Sequence, residues 1–176
     1  MSYCVLDAAR LEEQLDVAKE KADPNSYWCL YQGASAEHLS NVAPYLFMSW
    51  PNRQAAPVLL DWLFADGWGN AWGIFALSRA TPDVLYHHFR RFLMVRTESG
   101  QPLYFRFYDP RVLRRFLLTC NPAQLIDFFG PIRYFLVEDE DPAFGISYWV
   151  QEGQLKSQRM PRAEAEQAYR TYLNQS

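Results

Sequence analysis

The stretch FRRFLMVRTESGQPLYFRFYD, Phe89–Asp109, decides how this chain reads. It interleaves aromatic and arginine side chains and leads into Pro110-Arg111-Val112-Leu113, which has the pattern of a helix start. Met94–Arg96 and Leu103–Tyr108 are expected to form a hairpin around a turn at Glu98-Ser99-Gly100. Strand alternation then sets Leu103, Phe105 and Phe107 on a core face and Tyr104, Arg106 and Tyr108 on an amphipathic one. Asp109 supplies a carboxylate to cap the next helix, and Pro110 fits its first position because the missing N–H is one that no helix end uses. The density of rings and guanidinium groups points to a binding surface, and none of it requires a catalytic group.

Working back from Phe89, strand and helix patterns alternate. Tyr3–Leu6 reads as a strand, Leu11, Leu15, Ala18 and Ala22 share a helix face, and Tyr27–Tyr31 and Pro44–Trp50 are extended. Ser35 is expected to cap a short helix that turns Leu39 and Val42 inward. Pro51–Pro57 has loop composition, and a helix with Leu59, Leu60, Leu63 and Phe64 facing the core ends at Gly67-Trp68-Gly69. Ala71–Leu77 is a buried strand, and Thr81-Pro82 opens a helix that turns Leu85, His88, Phe89 and Phe92 to one side. Beyond Asp109 two helices carry Val112, Leu113, Phe116 and Leu117, then Leu125, Phe128 and Phe129. A strand at Ile132–Val137, a hairpin across Glu152-Gly153 and a final helix from Pro161 follow. The fold class expected is α/β, with a mixed sheet flanked by helices in an N-terminal lobe (1–108). A smaller, mainly helical C-terminal lobe (109–176) with a short hairpin and a C-terminal helix would form a cleft with it.

The 176 residues include 49% hydrophobic and 16% aromatic side chains, enough to bury a substantial core. A net charge of −3 gives no overall field that would favour nucleic acid or an anionic membrane. The charge is uneven. Residues 79–115 carry eight basic side chains against three acidic ones, and all eight are arginine. Arginine favours planar pairing with carboxylates, so this island either pairs with the acidic flanks of the chain or meets an acidic partner. Cys4, Cys29 and Cys120 have no metal-like spacing and read as small hydrophobes in a reducing compartment. The start MSYCVLDAAR lacks a basic leader, and no apolar run approaches the roughly 20 residues of a membrane span, so a cytoplasmic chain is expected.

No nucleophile elbow, phosphate loop or dinucleotide fingerprint occurs. The run Glu138-Asp139-Glu140-Asp141 reads as a solvated turn, or with Asp109 as the carboxylates of a small metal-dependent hydrolase. The arginine island with its aromatics also admits a nucleic-acid-binding module. His38, His87 and His88 lie in no metal-binding pattern. Trp68 and Trp72 stand beside Gly67, Gly69 and Gly73, where rings cover either a neighbouring element or a partner helix.

Several blocks together resemble one family. They are Val5-Leu6-Asp7-Ala8-Ala9-Arg10, Ala43-Pro44-Tyr45-Leu46, Gly67-Trp68-Gly69 with Trp72-Gly73-Ile74-Phe75, and His88–Leu93. Phe105–Leu113 (FRFYDPRVL), Thr119-Cys120, Pro122, Gln124-Leu125, Phe128–Pro131 and Glu138-Asp139 continue the likeness. They are similar to the adaptor chaperones of bacterial type VI secretion, the Tap/Tec group, long catalogued as a domain of unknown function. The likeness spans residues 3–141, and beyond Ala143 the chain departs from the shared pattern. The resemblance implies an adaptor rather than an enzyme, with no catalytic, metal or cofactor-binding residues. Its partners would be a cognate toxin effector and a VgrG-type spike protein, with neither nucleic acid nor membrane among them. Effector preference would reside in the divergent C-terminal residues. On this reading Trp68, Trp72, Arg106, Tyr108 and Arg111 line the cleft and bind the partner.

Overall fold

The computed structural model describes residues 1–50, 57–96 and 99–174. Seven strands form one sheet: Ser2–Asp7 (β1), Tyr27–Cys29 (β2), Pro44–Trp50 (β3), Gly73–Ser78 (β4), Ile132–Glu138 (β7), Phe144–Gln151 (β8) and Gln154–Pro161 (β9). Met94–Arg96 (β5) and Pro102–Tyr104 (β6) pair separately as a two-stranded ribbon. The order across the main sheet is β2-β3-β1-β4-β7-β8-β9, and every pairing is antiparallel.

The α/β class is as expected; the mixed sheet is not. Of the strand–helix–strand steps that suggested parallel pairing, β1 to β2 and β3 to β4 are each split by an interposed strand, and β2 and β3, joined through a helix at Ala34–Leu39, pair antiparallel instead. β3 lies between β1 and β2, and β1 lies between β3 and β4, so strands that run the same way never touch. Alternation of strand and helix fixes the layers, not which strands become neighbours. The sheet also crosses the boundary expected at 108/109, because β7 pairs with β4. Three of its seven strands come from the C-terminal part.

Helices cover both faces, which explains why the central strands read as continuous apolar runs. On one face Cys4, Leu6, Phe47, Phe75 and Leu136 pack against Ala8–Leu11 (α1), Gln14–Lys21 (α2), Val58–Trp62 (α4) and Arg162–Asn174 (α8). On the other, Tyr3, Val5, Ile74, Ala76 and Phe135 pack against Pro82–Phe92 (α5), Pro110–Thr119 (α6) and Pro122–Phe129 (α7). Successive residues of β1 thus enter opposite cores, as a strand's period of two requires. Tyr169 of α8 is buried at the sheet's centre, its hydroxyl 2.9 Å from Ser2 Oγ and donating toward the Tyr3 and Ala76 carbonyls.

Local expectations fare unevenly. α4 continues through a π-helical turn, Leu63–Gly67, and Leu59, Leu60, Leu63 and Phe64 are all buried. The short helix is Ala34–Leu39 (α3), with Gly33 rather than Ser35 at its N-cap, and Leu39 and Val42 face outward. Of the loop expected at Pro51–Pro57, residues 51–56 lie outside the described residues, as does Glu98 of the hairpin turn. The strand expected to reach Tyr108 stops at Tyr104, because a turn closed by Asp109 N–H on the Arg106 carbonyl (3.0 Å) begins there. The expected alternation holds from Tyr104 to Phe107, with Tyr104 and Arg106 exposed, Phe105 half-buried and Phe107 buried, and fails at its ends, where Leu103 is exposed and Tyr108, inside the turn, is buried.

His88 shows how α5 is locked to α7. Its ring is buried, with Nε2 2.8 Å from the Phe128 carbonyl oxygen. Gly130, at φ +45°, lies against the same ring, where a Cβ would meet His88 Cε1 at 2.5 Å. Burial lowers the His88 pKa below its ordinary 6.5. The unfolded chain therefore takes up this proton first, and stability falls as pH drops below about 6.5 until the folded ring is itself protonated. Denaturant midpoints measured from pH 7.5 to 5 are expected to decline, and His88→Gln is expected to flatten that decline whatever its effect at neutral pH. Asp109, whose pKa is lowered by its bonds to Arg111 against the upward pull of burial, loses its contribution separately, below its ordinary 3.8.

Candidate partner-binding surface

The strand pairings bring the ends of β1, β4 and β7 together, so Asp7, Gly73 and Glu138 lie at one end of the central strands. Asp7 is 1% exposed. Its backbone N–H donates to the Trp72 carbonyl (2.8 Å), its Oδ1 caps α1 by accepting from Ala9 N–H (3.1 Å), and its Oδ2 pairs with Arg106. The Asp7 bond holds the Arg106 pKa above its ordinary value. Tyr31 and Tyr108 share a hydroxyl hydrogen bond beside this pair, and burial pushes both phenols up. Asp109 accepts from the Arg111 backbone N–H and from its Nε, both at 2.9 Å. This carboxylate offsets a cation that would otherwise oppose the positive end of α6.

Glu138 escaped the sequence reading. It looked like the first of four solvated carboxylates, yet it is only 7% exposed. Its Oε2 accepts the Ala71 N–H (3.1 Å), its carboxylate also receives the Gly69 N–H, and burial raises its pKa. It thereby holds the loop Trp68–Trp72, in which Gly69 and Ala71 sit at φ +95° and +51°. The available signal was its place as the last residue of an apolar strand run, one step after Val137. Asp139 pairs with Arg159 (2.9 Å), while Glu140 stays largely exposed, 3.9 Å from Arg114. The carboxylates considered for metal-dependent hydrolysis are thus engaged separately. Among the described residues no three His, Cys, Asp or Glu are grouped as metal ligands.

The five residues proposed to line a cleft are all found near this end of the sheet, but in different layers. Trp68 is buried, its ring 5.5 Å from Phe64 and its Nε1 donating to the Pro142 carbonyl at 2.9 Å. Trp72 is half-buried and packs on Trp62 at 5.1 Å. Tyr108 belongs to the opposite core. Only Arg106 and Arg111 present their side chains substantially to solvent, at 45% and 54%. A shared cleft therefore does not form around all five, because the tryptophans and Tyr108 pack on opposite faces of the sheet. What does meet is α6 and the loop: Arg10, Asn70, Arg111, Arg114, Arg115 and Glu140 border an open groove of about 380 Å³. A second groove, about 600 Å³, lies along α6 between Asp109, Arg111, Val112, Arg115, Phe116 and Thr119.

Beside these grooves stands the β5–β6 ribbon. Met94 (48%), Leu103 (51%) and Tyr104 (60%) are exposed, as is Val95. The register sets Met94 opposite Tyr104 and Val95 opposite Leu103, so the ribbon offers apolar side chains on both of its faces. Phe105 ties it to α6 through Phe116, ring centroids 4.6 Å apart.

The chain is thus an α/β protein whose buried polar groups fasten loops and which turns an arginine helix and an apolar ribbon outward. The chain belongs to the family described as a domain of unknown function (DUF4123), whose model matches residues 2–126. No curated protein and no solved structure matches it. The family match ends within α7, so β7, β8 and β9, which complete the sheet, and α8, which packs on it, lie beyond the match. Among the described residues no helix is long and apolar enough to cross a membrane.

Proposed function

We propose that this chain is an adaptor that holds a toxin effector in the cytoplasm and helps load it onto the VgrG-type spike of type VI secretion, without chemical turnover. Family membership and the resemblance of blocks such as FRFYDPRVL to the Tap/Tec adaptors support this reading. The observation that carries it is the ribbon. Two three-residue strands with large apolar residues exposed on both faces lack the buried face that normally stabilises a hairpin, and such a surface suits a polypeptide client. Arg106 and Arg111 then act at its polar margin, Tyr108 supports that side of the sheet from within, and Trp68 and Trp72 anchor the loop beside Arg111 from the opposite core.

The test is a pull-down of the tagged chain from its native bacterium, read for two named proteins: a toxin encoded beside it and a spike protein. Both are expected with the native chain. Leu103→Asp combined with Tyr104→Asp is expected to cut toxin recovery several-fold, while thermal stability changes by no more than about 0.5 kcal/mol, as for other exposed positions. Recovery of neither protein, with the chain folded, would contradict the proposal.

A further inference from the structure

The outward face of α6 breaks a local rule. The helix Pro110–Thr119 carries Arg111, Arg114 and Arg115 and no acidic residue. Arg111 is offset by Asp109, and Arg114 donates to the Glu138 carbonyl and lies near Glu140. Arg115 is exposed and has no ion pair or hydrogen bond among the described residues. It sits one turn beyond Arg111, a like-charge spacing that opposes the helix, and Leu118, 74% exposed, continues the same face. Uncompensated local costs of this kind concentrate where a partner relieves them.

We infer that this face, Arg111, Arg115 and Leu118 with its two flanking grooves, docks an acidic polypeptide segment of the client; this rests on the adaptor reading above. Carboxylates one helical turn apart would meet Arg111 and Arg115, and an apolar side chain about one turn beyond them would cover Leu118. The groove beside Arg111 has a wall of opposite sign, Glu138-Asp139-Glu140, with Glu140 exposed. A segment bearing a basic residue as well as acidic ones complements both walls. A continuous polyphosphate would be repelled by the second, so the charge pattern favours protein over nucleic acid.

The probe is a fluorescein-labelled synthetic helix of about 14 residues, four turns long, with glutamates four apart, leucines between them and one terminal lysine. Its binding is read by anisotropy at about 50 and 150 mM salt. The glutamate peptide is expected to bind more weakly at the higher salt. Replacing its glutamates by glutamine, or Arg115→Glu in the protein, is expected to weaken it by at least about tenfold, the scale of a charge-assisted pair. Arg115→Lys is expected to retain part of the affinity, and both variants to keep the native melting temperature. Equal binding of the glutamine peptide, an unchanged Arg115→Glu protein, or preferential binding of a single-stranded oligonucleotide of similar length would overturn the inference. An Arg115→Glu chain that loses the peptide yet still recovers toxin and spike would also overturn this surface as the client's dock, while leaving the adaptor reading intact. A native chain that binds the peptide but recovers neither protein would overturn the adaptor reading, and the client's dock with it.

Discussion

Phe128→Ala is expected to lower stability by about 3–5 kcal/mol, a large part of what a domain of this size possesses. Phe128 is 1% exposed and stands where α5, α6, α7 and the sheet meet. Its ring lies 5.1 Å from Phe92, 5.0 Å from Phe116, 5.9 Å from Phe107 and 5.6 Å from Phe135. Those neighbours come from four separate segments, so none can move into the vacated volume without leaving its other contacts, and the cavity would persist. Urea unfolding should show a reduced midpoint with an unchanged slope. A loss below about 1 kcal/mol would mean that this cluster collapses freely, contrary to the packing described.

Gly73→Ala is expected to be comparably damaging although it adds a single methyl group. Gly73 pairs with Leu6 where β4 meets β1, in the middle of the sheet. A Cβ there would lie 2.2 Å from the Val5 carbonyl oxygen and 3.0 Å from Leu6 Cα. Both are backbone atoms of a central strand, so relief requires β1 and β4 to separate. Overpacking commonly costs 1–3 kcal/mol, and because moving Leu6 Cδ2 (2.8 Å) leaves both backbone contacts in place, a loss of about 3 kcal/mol or more is expected. For a chain of this length that lowers the melting temperature by roughly 2–4 °C per kcal/mol. Faster amide exchange confined to β1 and β4 would locate the damage; a native melting temperature would show that the two strands have room to spare.

The cores were legible in the chain because both rest on local periodicity. Leu59, Leu60, Leu63 and Phe64 form a helical stripe, Tyr3–Leu6 an unbroken apolar run, and Asp109 a cap whose carboxylate accepts the Arg111 N–H. Strand order was not legible, since insertion of β1 between β3 and β4 depends on long-range pairing that leaves no local mark. The same limit hid Glu138. Its charge marks a residue for solvent, and only the unsatisfied N–H groups of a loop sixty-seven residues earlier draw it inside. At the surface the difficulty ran the other way. Tyr108 and Trp68 read as binding residues because aromatic side chains serve cores and interfaces alike; the turn at Arg106–Asp109 carries Tyr108 into one core, and packing on Phe64 and Phe75 holds Trp68 in the other. Arg111 was identified from sequence, whereas Arg115 gains its significance only when its neighbours are seen to find partners and it does not.

On the proposed function the chain holds a client and leaves it unaltered. Titration calorimetry of the purified chain against the purified toxin encoded beside it, followed by mass analysis of both, tests this directly. Saturable binding at a fixed ratio and two covalently unchanged proteins are expected, with affinity reduced in the Leu103→Asp and Tyr104→Asp double variant. Absence of binding by the folded chain, or conversion of the toxin or any small molecule on mixing, would contradict it.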